Sequence, residues 1–231
     1  VDDAVDRAAE VGVTRIVQVG YDVESSTWSA RVAQAHEAVV AAVAIHPNEA
    51  PRILAERGRA ALEGAWDSIA ELAAQPRVRA VGETGLDYFR TGDEGRAAQR
   101  TSFERHIAMA RGLGKTLVIH DRDAHDDVLQ VLDTTGAPEK VVMHCFSGDA
   151  AFARECVDRG FYLSFAGTVT FKNAASLREA AAVVPLTNLL VETDAPFLAP
   201  APHRGRPNAS YLIPHTVAVL ADAMNASVSQ V

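Results

Sequence analysis

Residues 116–144 read Thr116-Leu117-Val118-Ile119-His120-Asp121-Arg122, then Asp123-Ala124-His125-Asp126-Asp127-Val128-Leu129-Gln130-Val131-Leu132-Asp133-Thr134, then, past Gly136-Ala137-Pro138, Val141-Val142-Met143-His144. A short apolar run, a helix-patterned run and a second short apolar run make a β-α-β unit. Both apolar runs are continuous rather than alternating, as strands covered on both faces are. Both end in histidine.

The same unit recurs on either side. Strand-like runs fall at 15–20, 39–45, 79–83, 116–119, 141–143, 161–165 and 189–191. Helix-like runs fall at 2–10, 26–37, 53–57, 63–74, 97–112, 124–134, 150–159, 174–183 and 213–224. Repeated βα units predict an α/β protein with a parallel sheet and helices on its faces. No linker or break in composition divides the chain, so one domain over 1–231 is expected. No Gly-rich phosphate fingerprint follows the first strand, which argues against a dinucleotide-binding fold.

Composition bounds the possibilities further. The 231 residues are 48% hydrophobic and 23% charged, a globular balance, with a formal charge of −8. There is no broad basic surface, so any nucleic-acid contact has to come from local clusters of arginine and lysine. Two cysteines, Cys145 and Cys156, exclude a disulfide scaffold and fit a reducing compartment. No apolar run reaches the roughly 20 residues that span a bilayer, and the N-terminus opens on acidic residues rather than a basic leader. A cytoplasmic protein is expected, with no membrane association and no obligate protein partner.

Ligand-type side chains collect at strand ends: His46, Glu83, His120, His144 and Asp194. In a βα-barrel that end carries the active site. Histidines and carboxylates converging there suit Zn²⁺, Mn²⁺ or Mg²⁺. Two such ions can activate water and clamp a phosphodiester. Other polar residues have plainer readings. His36, His106 and His125 lie in or at helices and read as surface residues. Asp121, Asp123 and Asp127 read as caps and first-turn acids of the helix that follows. Tyr88, Phe89, Phe146 and Phe171 follow strand ends and could stack on bases, although packing of loops onto the barrel is the preferred reading. Cys145 reads as core packing, pointing away from the interior by strand alternation.

Five local words sharpen the picture: Ile45-His46-Pro47; Gly82-Glu83-Thr84-Gly85-Leu86-Asp87-Tyr88; Ile119-His120-Asp121-Arg122; His144-Cys145-Phe146-Ser147-Gly148; and Glu192-Thr193-Asp194-Ala195-Pro196, followed by Arg204-Gly205-Arg206-Pro207-Asn208. In this order the set resembles the TatD family of metal-dependent deoxyribonucleases, within the amidohydrolase-like metal hydrolases. The resemblance implies a single (β/α)8 TIM barrel and hydrolysis of DNA phosphodiesters with two divalent ions (Mg, Mn or Zn). Single-stranded ends are the expected substrate. Carried over, Glu83 is the carboxylate shared by two metals, and His120 and His144 are ligands of the second. Asp194 is a ligand of the first metal and orients or deprotonates the attacking water. Arg122, Arg204 and Arg206 are candidates for phosphate contacts. His46 and Glu192 are expected behind the ligands, supporting them.

The family pattern opens on a strand with a His-x-His pair, which these residues lack, and ends in a further helical segment. The expectation is therefore that the first barrel strand and a C-terminal segment lie outside these 231 residues. Two other classes remain open: a small-molecule amidohydrolase on the same barrel, and a catalytically weak homologue acting as a binding protein.

Overall fold

The computed structural model describes all residues, 1–231. In chain order the elements are α1 (Asp2–Glu10), β1 (Ile16–Val19), α2 (Val23–Ala35), β2 (Val39–Val43), α3 (Glu49–Arg57), α4 (Arg59–Ala73), β3 (Val78–Asp87), α5 (Asp93–Leu113), β4 (Thr116–Arg122), α6 (His125–Thr135), β5 (Val141–Met143), α7 (Ala150–Asp158), β6 (Tyr162–Phe165), α8 (Ala175–Val183), β7 (Leu189–Val191) and α9 (Ile213–Ala223). The α/β reading holds, with seven strands as expected. Two compact units divide the chain: Arg15–Val142, and Val1–Thr14 together with Met143–Val231.

In the unit Arg15–Val142, β1 to β4 are parallel neighbours in chain order. Helices return the chain to the start of each next strand, the crossover that parallel strands need. The strands bury Ala41, Ala42, Val43, Val81, Leu86, Leu117 and Ile119, and α4 and α5 contribute Ile69, Phe103 and Ile107. One sheet face carries small side chains: Ala42, Ala80 and Val118, with Val19 and Val142 against them. Asp22 caps α2 in a capping box with Ser25, so that helix starts three residues before the run read from sequence.

Two strands run past the ends read from sequence. The polar Glu83 looks like a stop, yet β3 continues through Asp87 because its ladder with β4 continues, with Gly85 opposite His120 and Asp87 opposite Arg122. Gly85 makes that approach possible. Its φ is +142°, and a Cβ there would sit 2.1 Å from the His120 carbonyl oxygen. The two strands therefore hold Glu83, Asp87 and His120 in one fixed register.

In the other unit, β6 and β7 are parallel, with Leu163 opposite Leu189. Ala153, Cys156, Leu163, Phe165, Ala180, Ala181 and Leu220 are buried. Asp149 caps α7, accepting from the amides of Ala151 and Phe152 at 2.9 Å. The Arg7 guanidinium of α1 lies 3.8 Å from the centre of the Tyr211 ring, just before α9. No helix of the chain is long and apolar enough to cross a membrane.

Candidate metal centre

Three residues of the unit Arg15–Val142 point one donor atom each at a common spot. His46 follows β2, Glu83 lies in β3 and His120 in β4. Their donor atoms all lie within 4.8 Å of one another. His120 Nδ1 is 2.6 Å from Glu83 Oε1 and 3.3 Å from His46 Nε2. His46 Nε2 is 3.5 Å from Glu83 Oε1. All three are partly buried. His46, expected behind the ligands, thus offers a donor atom itself. Two imidazole nitrogens and one carboxylate oxygen are a donor set that a divalent cation fits.

Asp87 went unassigned in the sequence and is the best-anchored carboxylate nearby. It is 1% exposed. Its Oδ2 lies 3.2 Å from His120 Nε2 and accepts from Asn48 Nδ2 at 2.9 Å. Its Oδ1 accepts from the Arg90 amide at 2.9 Å. Gln99 brackets its backbone, accepting from the Asp87 amide and donating to the Asp87 carbonyl. Burial pushes the Asp87 pKa up, but the hydrogen bonds from His120, Arg90 and Asn48 outweigh it and hold the carboxyl well below the usual range. Burial likewise disfavours protonated His120, yet Asp87 and Glu83 overcome it and raise the imidazole to about 9. In sequence the one hint is the spacing Glu83 to Asp87, which becomes informative only once β3 is seen to run through Asp87.

The backbone just before His46 is held by His106, whose reading as a surface residue is corrected. His106 is fully buried in α5. Its Nδ1 lies 2.6 Å from the Ser102 carbonyl and its Nε2 accepts from the Ile45 amide at 3.1 Å. Nδ1 therefore carries the proton. Burial lowers this histidine to about 4. The apolar helix face around it, with Phe103, Ile107 and Ala110, is the signal that could have shown its burial.

Other plain readings also shift. His36 ends α2 as its C-cap. His125 is half-buried and bonds Asp121 at 2.6 Å, and that carboxylate raises its pKa. The N-cap of α6 is Ala124, with no side-chain cap bond. Asp121 is engaged with His125 instead, while Asp127 lies in the first turn and accepts from the Tyr88 hydroxyl at 2.6 Å.

The second group lies in the other unit. His144 Nδ1 is 3.0 Å from Glu192 Oε2, and His144 Nε2 is 3.8 Å from Asp194 Oδ1. Glu192 also accepts from the Cys145 amide at 3.1 Å. β5 has ended by then, and Cys145 sits in a turn with φ +43°, so strand alternation does not set its direction. Glu192 thus holds one imidazole nitrogen of His144 and leaves the other facing Asp194, as a carboxylate behind a metal-binding histidine does. Asn208 pins the loop that follows Asp194, donating from Nδ2 to the carbonyls of Thr193 and Phe197.

Of the three arginines, Arg206 and Arg204 are exposed and Arg122 is half-buried. Two of them lie on aromatic rings: Arg122 on Phe89 at 3.9 Å and Arg204 on Phe171 at 4.1 Å. Phe146 is buried against Phe152 and Phe165, so packing is its role.

Parallel βα layers with a His-Glu-His donor group at strand ends define a metal-dependent hydrolase of the TIM-barrel class. The whole chain, residues 1–231, matches the family profile described as "TatD related DNase". The chain belongs to the TatD family of metal-dependent hydrolases. An uncharacterized metal-dependent hydrolase TatD of Mycobacterium tuberculosis is 49% identical over 225 residues, covering 96% of this chain and 82% of that protein. A protein of Citrobacter rodentium named 3'-5' ssDNA/RNA exonuclease TatD is 34% identical over 201 residues, covering 86% of this chain and 73% of that one. The crystal structure of YJJV, a TatD homolog from Escherichia coli, superposes with a TM-score of 0.88 at 26% identity, covering 99% of this chain and 86% of that one.

Proposed function

We propose that this hydrolase is a divalent-metal-dependent deoxyribonuclease that trims single-stranded DNA from an end. The observation that carries the reading is the His46–Glu83–His120 donor group. The relative named as a single-strand exonuclease supports it. A histidine and carboxylate donor set that a divalent cation fits favours attack by a metal-activated water.

In this reading divalent ions (Mg, Mn or Zn) are held by Glu83 and His120, joined by His46, in one unit, and His144 and Asp194 are the ligands in the other. Bound there, such ions acidify water and polarise the phosphoryl group. The chain's own groups do the rest. Asp194 orients the water and takes its proton as the water oxygen bonds to phosphorus and a bridging P–O bond breaks. Glu192 holds His144 in place. Arg122, Arg204 and Arg206 bind phosphate oxygens, which the planar guanidinium matches. Two cysteines in 231 residues fit a reducing compartment, which supports a cytoplasmic location.

The test is incubation with end-labelled single-stranded DNA, with and without Mg²⁺ or Mn²⁺. Stepwise, metal-dependent shortening that disappears in His144→Ala supports the proposal. No cleavage by a metal-loaded protein rejects it and turns attention to small-molecule amide substrates.

A further inference from the structure

We propose that Phe89, backed by the guanidinium of Arg122, is the platform on which a nucleobase of the substrate stacks. The inference rests on the nuclease reading and assigns the residue that would grip the base rather than the phosphate. Aromatic residues that follow strand ends include Tyr88, Phe89, Phe146 and Phe171, and their surroundings separate them. Phe146 is buried in an aromatic cluster. Tyr88 is committed through its hydroxyl to Asp127, with Arg96 on its ring at 4.1 Å. Phe171 is partly covered under Arg204. Phe89 is 63% exposed; Phe197, at 69%, is as open but lies in the other unit, after β7.

Its position adjoins the donor group. Asp87 and Arg122 are opposite each other where β3 and β4 end, and the Tyr88 amide donates to the Arg122 carbonyl at 2.9 Å. Arg122 and His120 are two residues apart on β4, so their side chains leave the same face. Phe89 therefore comes two residues after Asp87, which bonds His120, at the end of β3 and β4 that carries the donor group.

The chemistry is complementary. Arg122 lies with its Cζ 3.9 Å from the Phe89 ring centre. One ring face is thereby held by a cation, and the ring remains open to a π-system. The guanidinium meets the ring while its N–H groups stay available to a phosphate. Base and phosphate of one nucleotide would thus be gripped by neighbouring side chains. Stacking of this kind tolerates every base, as a trimming nuclease needs.

The test compares a 5'-labelled oligothymidylate with a strand of equal length built of abasic residues, on wild type, Phe89→Ala and Phe89→Trp with Mg²⁺ or Mn²⁺. Phe89→Ala is expected to raise KM for oligothymidylate about tenfold, with kcat changed less than about threefold. KM for the abasic strand should move less than about twofold, and Phe89→Trp should restore the preference for bases. A merely structural role would shift both substrates together, and equal KM changes on the two strands, or none, overturn the proposal. Should wild type hydrolyse a simple phosphodiester such as bis(p-nitrophenyl) phosphate but neither strand, the nuclease reading fails and the platform falls with it.

Discussion

His120 Nε2 and Asp87 Oδ2 stand 3.2 Å apart, while the other nitrogen of the same ring is 2.6 Å from Glu83. Asp87 is the more deeply buried of the two carboxylates and is locked by Asn48 and the Arg90 amide. It therefore fixes the tautomer with the proton on Nε2 and leaves Nδ1 to a cation. Asp87→Asn keeps the shape but weakens this orientation. It should lower affinity for Zn²⁺ or Mn²⁺ by about 10–100-fold, read by calorimetric titration, in a protein with an unchanged circular dichroism spectrum. Unaltered affinity would remove Asp87 from the metal centre.

Glu83 is the sole carboxylate of the three-residue donor group. Glu83→Ala should cost both bound ions and reduce hydrolysis by at least about 100-fold. Metal content by mass spectrometry decides the matter, and full retention of both ions would rule out a bridging role.

Metal uptake should release a proton. In the metal-free protein the neighbouring carboxylates raise His120 to about 9, so near neutrality a cation has to displace the imidazole proton. Apparent affinity should rise up to about tenfold per pH unit between pH 6 and 8 and level off above about 9. Titrations in buffers of different ionisation enthalpy count the protons directly. A pH-independent affinity would mean that His120 is not a ligand.

His106 links the centre to acid stability. Its folded pKa of about 4 lies below the ordinary 6.5 because burial disfavours the charged ring. Between these values the unfolded chain binds a proton that the folded one does not, so stability falls as pH drops from 6.5 to 4 and this contribution flattens below. The loss amounts to about 3 kcal/mol. His106→Gln should flatten the denaturation midpoint across that window relative to wild type, whatever it does to stability at pH 7. Parallel curves for the two proteins would refute the assignment.

Local patterns in the sequence carry the element order, the parallel α/β class and the placement of His46, Glu83, His120, His144 and Asp194 in the C-terminal halves of strands or just after them. Apolar period is a property of neighbouring residues, so it can be read along the chain. The five ordered words add the family in the same way. What could not be read are the partners set by register and burial. Nothing local distinguishes Phe89, left in water, from Phe146, packed between two rings. His106 looks like any helix histidine until β2 lies beside α5 and offers the Ile45 amide. Asp87 reaches His120 only because Gly85 lets β3 approach β4 and carry the ladder four residues past Glu83. Those choices belong to tertiary structure, because hydrogen-bond register and exclusion of water are decided by strands and helices that meet from distant parts of the chain.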